Sequence, residues 1–268
     1  MIVRFLSENS TVRNTIYFLS DFHLGAPDYN SSLEREKIIV QFLDEIKNNA
    51  AEIFLVGDLF DFWYEYKKVV PKGHVRLLGK LAELSDLGIA LHLFVGNHDM
   101  WMRDYFQKEL NIKVYFEPQE FLRNGKKFLI GHGDGLGPGD HGYKRLKKVF
   151  RNPVSKWLFG IFPPILGMGL AHYLSRRSRA QTGATEETFL GKDKEWLIIY
   201  CNEVLKQKNI DFFVFGHRHL PIDYRLSTGS RYINLGDWIH FFTYAVFEGE
   251  KLQLTSYKGK EEKIIRQS

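Results

Sequence analysis

An α/β fold with at least partly parallel sheets is what this chain predicts. Short apolar runs, with the length and the β-branched or aromatic content of buried strands, recur along it. Amphipathic helical patterns lie between several of them, the alternation that builds parallel sheets. The runs end abruptly in polar clusters, at the strand ends where α/β sheets bind ligands.

Thr15 to Ser20 runs into Asp21-Phe22-His23, after which Glu34 to Asn48 places Ile38, Ile39, Phe42, Leu43 and Ile46 on one helical face. Glu52 to Val56 runs into Gly57-Asp58, and a helical pattern follows over Val75 to Asp86. Ala90 to Val95 runs into Gly96-Asn97-His98-Asp99, and Lys127 to Ile130 into Gly131-His132-Gly133-Asp134. A helical pattern over Asp193 to Lys208 precedes the run Asp211 to Phe215, which meets Gly216-His217-Arg218-His219. From Arg231 to Tyr257 the chain alternates like antiparallel strands, with turn signals at Gly236-Asp237 and Glu248-Gly249.

Between Gly135 and Gly191 this rhythm breaks. The stretch is rich in Arg, Lys, Phe, Trp and Pro, and the strand-and-motif pattern resumes after it. It reads as an inserted, mainly helical cap over 135–191 on a core formed by 1–134 and 192–268. Apolar residues such as Trp157, Phe159, Phe162, Ile165 and Leu166 alternate there with the basic clusters Lys144-Arg145, Lys147-Lys148 and Arg176-Arg177. That composition suits an acyl-chain pocket rimmed by cations, or equally a helical hairpin burying its own apolar face.

At 268 residues, with 44% hydrophobic and 26% charged, the chain holds one large domain or a domain with a sizeable insertion. The net charge of +5 tilts mildly toward anionic partners such as phosphates, nucleic acid or a lipid surface, a surplus many soluble proteins also carry. One cysteine, Cys201, excludes an intramolecular disulfide and suits a reducing cytosol. Met1 to Asn14 lacks a charged segment followed by a long apolar one, so no secretory signal is expected. No apolar run reaches the roughly 18 residues of a spanning helix.

The polar clusters supply Asp21, His23, Asp58, Asn97, His132, His217 and His219, oxygen and imidazole donors without a thiolate. Such a set favours Mn, Fe, Zn, Co or Mg over a structural zinc site closed by cysteines. A carboxylate such as Asp58 can bridge two ions roughly 3.5–4 Å apart, which activate water and clamp phosphoryl oxygens. Residues two apart in extended backbone point to one side, so Asp21-x-His23 and His217-x-His219 can each face one site. The preceding glycines at 57, 96, 131 and 216 allow close approach. His74, His92, His141, His172 and His240 lack this context and read as structural or surface residues, with His92 facing away from Val95 along its strand and His141 near enough to the cap loop to meet a substrate.

Taken together, Asp21-Phe-His23, Gly57-Asp58, Gly96-Asn97-His98-Asp99, Gly131-His132 and Gly216-His217-x-His219 resemble the calcineurin-like metallophosphoesterase superfamily. The resemblance implies a sandwich of two mixed β-sheets flanked by helices. It implies one divalent ion on Asp21, His23, Asp58 and His219, and a second on Asp58, Asn97, His132 and His217. His98 would act at the leaving group or transition-state oxygen, oriented by Asp99. Gly57 to Trp63 (Gly-Asp-Leu-Phe-Asp-Phe-Trp), the basic aromatic cap and Leu235-Gly236-Asp237-Trp238 are further similar to the UDP-2,3-diacylglucosamine pyrophosphatases of lipid A biosynthesis. That family's main branch carries Arg at the position of His98, so its Arg contact does not carry over. The resemblance implies Mn2+ foremost, with Mg2+, Fe2+ or Zn2+ open, and a lipid-linked nucleotide sugar as substrate. It implies cytoplasmic location with peripheral attachment to the inner membrane, and no nucleic-acid partner. The expected substrate contacts are Asp140, Tyr143, Lys144, Arg176 and Arg177. The alternative activity is that of a soluble phosphodiesterase or phosphatase acting on nucleotides or other small phosphates.

Overall fold

The computed structural model describes residues 13–139, 141–167, 169–170 and 188–267. Two six-stranded sheets face each other. The first places Lys251–Ser256 (β11), Thr243–Glu248 (β10), Thr15–Leu19 (β1), Ala50–Val56 (β2), Ala90–Phe94 (β3) and Lys113–Tyr115 (β4) side by side in that order. The second places Ile265–Gln267 (β12), Pro221–Arg225 (β8), Arg231–Leu235 (β9), Phe212–Phe215 (β7), Lys126–Gly131 (β6) and Gln119–Arg123 (β5) likewise. Helices Tyr29–Ile46 (α1), Val75–Asp86 (α2) and Tyr105–Leu110 (α3) share a core with the outer face of the first sheet. Trp196–Leu205 (α6) covers the second, and His141–Arg151 (α4) with Pro153–Ile161 (α5) follow β6 in the chain. This is the expected sandwich of mixed sheets between helices.

The sequence of β1 shows why the layers stack. All five of its residues are buried. Ile16 and Phe18 turn into the space between the sheets, while Tyr17 and Leu19 turn toward the helices, so the strand has no polar face. Aromatic rings fill the inter-sheet space. Phe18 stacks on Phe54 at 5.1 Å, and Phe128 meets Phe247 edge-on at 4.9 Å.

A polar clasp ties the sheets near one edge. His92 Nδ1 lies 3.0 Å from the Tyr115 hydroxyl and Nε2 lies 3.0 Å from Glu52 Oε2. Arg123, on β5 of the other sheet, donates from Nε to Glu52 Oε1 at 2.6 Å and from Nη2 to Oε2 at 2.8 Å. His92 does face away from Val95: its ring stacks on Phe54 at 4.3 Å between the sheets, while Val95 joins the outer core.

Local signals also place the helices. Asp28 accepts from Ser31 N at 3.0 Å, so α1 starts at Tyr29, ahead of the expected Glu34. For α2 the cap comes from another helix. Glu36 of α1 accepts from Arg76 N at 2.9 Å and Leu77 N at 3.0 Å, which fixes the two helices' relation. One expectation for the C-terminal stretch fails. β9 pairs parallel with β7 and antiparallel with β8, whereas β10 pairs antiparallel with β1 and β11. The Gly236-Asp237 signal therefore marks a crossing between sheets rather than a hairpin, and only Glu248-Gly249 makes a tight antiparallel turn, with Glu248 opposite Lys251.

The clasp carries a pH signature. Burial opposes the Glu52 charge, but His92 and Arg123 outweigh it and hold the carboxyl down to about 2, from an ordinary 4.5. A depressed carboxyl stabilises the fold above its unfolded value and loses that contribution as pH falls toward the folded one. The stability gap between wild type and Glu52→Gln, from urea midpoints, should therefore be on the order of 1–2 kcal/mol at pH 6 and shrink between pH 4.5 and the acid limit. Parallel curves through that window would contradict a charged clasp.

Candidate metal centre

The loops that leave β1, β2, β3, β6 and β7 meet at one edge of the sandwich. Asp21, His23, Asp58, His217 and His219 have φ of 55°, 44°, 52°, 67° and 55°. Non-glycine residues seldom occupy that left-handed region, and such strain gathers at functional sites. Extended backbone is therefore not what aims Asp21 with His23 or His217 with His219; left-handed turns do it. Backbone bonds between loops hold these turns. Asp21 N donates to Gly57 O at 3.0 Å, His23 N to Asp58 O at 3.0 Å and Gly216 N to His132 O at 2.9 Å. Arg35 of α1 braces the first loop, donating to the carbonyls of Phe22 and His23, both at 2.7 Å.

Two glycines show how tightly the loops nest. A Cβ on Gly96 would stand 2.6 Å from Asp58 N, and one on Gly216 would stand 2.5 Å from Asp21 Oδ2. The expected close approach is thus made by a neighbouring loop's aspartate.

Two side-chain groups converge. In the first, Asp21 Oδ1 is 3.6 Å from His23 Nε2 and 3.4 Å from His219 Nε2, and the two imidazole nitrogens are 3.2 Å apart. In the second, Asp58 Oδ2 is 3.2 Å from His132 Nε2, which is 3.1 Å from Asn97 Oδ1; His217 completes the cluster. Asp58 Oδ2 also lies 3.7 Å from His23 Nε2, so this one oxygen faces both groups.

The hydrogen bonding fits bound cations. His217 N donates to Asp21 Oδ2 at 3.1 Å, and His98 N donates to Asp58 Oδ1 at 2.8 Å. The other oxygens, Asp21 Oδ1 and Asp58 Oδ2, are buried with no hydrogen-bond donor. A buried charge needs a partner, and acceptors left bare among imidazoles suit a divalent ion. His132 donates from Nδ1 to Val56 O at 2.9 Å, which turns Nε2 to the centre.

The electrostatics agree. Burial pushes the Asp58 carboxyl up, but His132 and its neighbours overcome this and hold it well below the usual range. Burial likewise disfavours charge on His132, and Asp58 overrules it, pushing the imidazole up to about 10. Burial and then His132 drive His217 down to about 4. The aspartate charges thus favour a positive charge beside them, which a divalent cation would supply.

The Asp99 carboxylate is engaged by two backbone N–H groups. Its Oδ1 accepts from Gly96 N at 2.8 Å and its Oδ2 from Leu59 N at 2.9 Å, pinning the β2 and β3 loops together. Burial and the Asp58 charge push its carboxyl up to about 7. Asp61 is beside His98: His98 Nδ1 lies 3.1 Å from Asp61 O and 3.5 Å from Oδ1. Asp237 stands behind His219, with Oδ2 3.4 Å from Nδ1. Both belong to the quoted segments Gly57 to Trp63 and Leu235 to Trp238, the signal that could have singled them out.

The residues expected to form a cap divide. The Tyr143 hydroxyl donates to Asp134 Oδ2 at 2.7 Å, and its ring lies 6.5 Å from that of His217, at the edge of the centre. Lys144 Nζ donates to Gly137 O, which holds its ammonium beside the loop after β6. Lys147 Nζ lies 2.5 Å from Asp134 Oδ2, so its charge is paired with the carboxylate that Tyr143 also bonds. Arg145 and Lys148 are exposed. Asp140, His172, Arg176 and Arg177 lie outside the described residues. Among the other histidines, His141 is exposed, His74 packs 5.0 Å from Phe60 and His240 is 3.2 Å from Asp237.

Residues 15–221 match the family model of the calcineurin-like phosphoesterases. The chain is 37% identical, over 93% of its length and 100% of the relative's, to the UDP-2,3-diacylglucosamine hydrolase of Porphyromonas gingivalis. It is 29% identical to that of Ectopseudomonas mendocina, over 83% of this chain and 90% of that one. Among solved structures, Yfce, a phosphoesterase from E. coli, aligns over 91% of this chain and 94% of its own with a TM-score of 0.47 and 14% identity.

Asp99→Ala should cost about 2–4 kcal/mol of folding stability, because two buried N–H groups lose their acceptor. Urea unfolding of the metal-free protein measures this. A loss below about 1 kcal/mol would show that the two loops do not depend on Asp99.

Proposed function

The chain belongs to the calcineurin-like phosphoesterase family and is a metal-dependent hydrolase, and on that premise we propose that it cleaves the pyrophosphate bond of UDP-2,3-diacylglucosamine to UMP and 2,3-diacylglucosamine 1-phosphate. The observation that carries this reading is the 37% identity to a hydrolase of that name over 93% of the chain.

In this reading Asp21, His23, Asp58 and His219 hold one ion, and Asp58, Asn97, His132 and His217 hold the other. Mn2+ is the first candidate for both. A pair of divalent ions supplies water activation and charge neutralisation at a phosphoryl group. Asp58 is the shared ligand, consistent with an oxygen that faces both clusters. Asp61 engages His98 through Nδ1, and His98 acts at the phosphoryl or leaving-group oxygen.

The cap takes the acyl chains. Trp157 is 64% and Ile165 83% exposed, and Leu158, Ile161, Phe162 and Leu166 are exposed beside them, a large apolar surface for a water-facing segment. Among the described residues no helix is long and apolar enough to cross a membrane. A cytoplasmic enzyme resting on the inner membrane through this surface would collect its substrate there, with Tyr143 near the phosphates.

The direct test offers the purified, Mn2+-loaded protein detergent-dispersed UDP-2,3-diacylglucosamine and, separately, UDP-N-acetylglucosamine, with UMP as the readout. The diacylated substrate should win by at least roughly 10²-fold in kcat/KM. Equal turnover, or preference for the soluble nucleotide, would refute the assignment. His98→Ala should lower kcat roughly 10²–10⁴-fold with metal content unchanged; metal loss would make His98 a ligand. Trp157→Ser with Ile161→Ser should raise KM for the lipid while sparing hydrolysis of bis-p-nitrophenyl phosphate, and an unaltered KM would make this surface a mere lid.

A further inference from the structure

Between His217 and His219 stands a residue that the reaction does not use. Arg218 is 1% exposed, as is its partner Glu195. Its Nε lies 3.2 Å from Glu195 Oε2 and its Nη2 3.3 Å from Oε1, a two-pronged contact. Nη2 also donates to Thr188 O, and the guanidinium lies 5.3 Å over the Trp196 ring. Glu195 in turn accepts from Leu190 N at 3.0 Å. The backbone of Arg218 is held too, its N donating to Gly216 O at 2.8 Å.

The pair therefore joins separate pieces of chain. One is the loop after β7, with His217 and His219 in strained left-handed turns. The other is the return from the cap, Thr188 to Trp196, which leads into α6. Burying two opposite charges gains little net stability, since desolvation offsets their attraction, and an apolar pair of similar volume often serves as well. What an apolar pair lacks is direction. A planar guanidinium held by Glu195, Thr188 and Trp196 sets the orientation of the backbone that carries it.

We propose that Arg218, locked by Glu195, is a positioning residue that fixes His217 and His219 for metal binding and ties their loop to the end of the cap. The inference rests on the metal-centre reading above. Groups that orient ligand histidines typically contribute 10–100-fold in metal affinity. Arg218 would do so through the backbone, from the position between the two histidines.

The test measures Mn2+ affinity by equilibrium dialysis, alongside urea unfolding of the metal-free protein. Arg218→Met paired with Glu195→Met removes both charges together. This double variant should unfold near the wild-type midpoint yet bind Mn2+ roughly 10–100-fold more weakly. Glu195→Gln alone should weaken both properties. Arg218→Lys keeps the charge but not the fork, and should fold while binding Mn2+ more weakly; it decides the matter should the double variant fail to fold. Wild-type affinity in a folded double or Lys variant would overturn the proposal while leaving the metal centre standing. A wild-type chain that binds no Mn2+ would overturn the metal-centre reading and this one with it.

Discussion

Two buried aspartates, Asp21 and Asp58, each give one oxygen to a neighbouring loop's N–H and leave the other bare among imidazoles. Removing a carboxylate from water costs several kcal/mol even after relaxation. The bare oxygens therefore constrain everything around them. A positive charge must stand beside them, and the Asp58 charge accordingly raises the neighbouring His132 imidazole. The loops must withstand both the charge and the strain of five left-handed residues.

The sandwich supplies that resistance. Strands β1, β2 and β3 run parallel in one sheet, β6 and β7 in the other, so their loops emerge at one edge. Aromatic packing between the sheets fixes the separation of the two loop sets. Asp58 serves both clusters only because loops from both sheets reach it, His23 from one side and His132 from the other. Asp99 and Arg35 then brace loop against loop and loop against helix. Chemistry at this edge is thus a property of the whole sandwich.

Much of this was legible in the residues. Apolar runs ending in Asp, His and Asn gave the strands, their direction and seven converging donors, because strand burial and loop polarity are local facts. Partnerships across loops were not local. Asp99 follows His98 directly and looked like its companion, yet its carboxylate reaches back to Leu59, and Asp61 stands beside His98 instead. Lys144 and Lys147 looked like an anion-binding rim, but each found a nearby acceptor in the loop before the cap. The antiparallel pattern after Arg231 hid a change of sheet, since alternation reports burial and not which neighbour a strand pairs with. Left-handed aspartates and histidines carry little sequence signal, since glycine is the residue that usually marks that region.

Counting metal is the most direct check on the central claim, that two ions share Asp58. Protein purified with Mn2+ and analysed by inductively coupled plasma mass spectrometry should carry two ions per chain, with two anomalous-scattering peaks flanking Asp58 in a crystal. Asp58→Ala should lose most of both, since one oxygen faces both clusters. A single ion per chain in the wild type, or two retained in Asp58→Ala, would contradict the account.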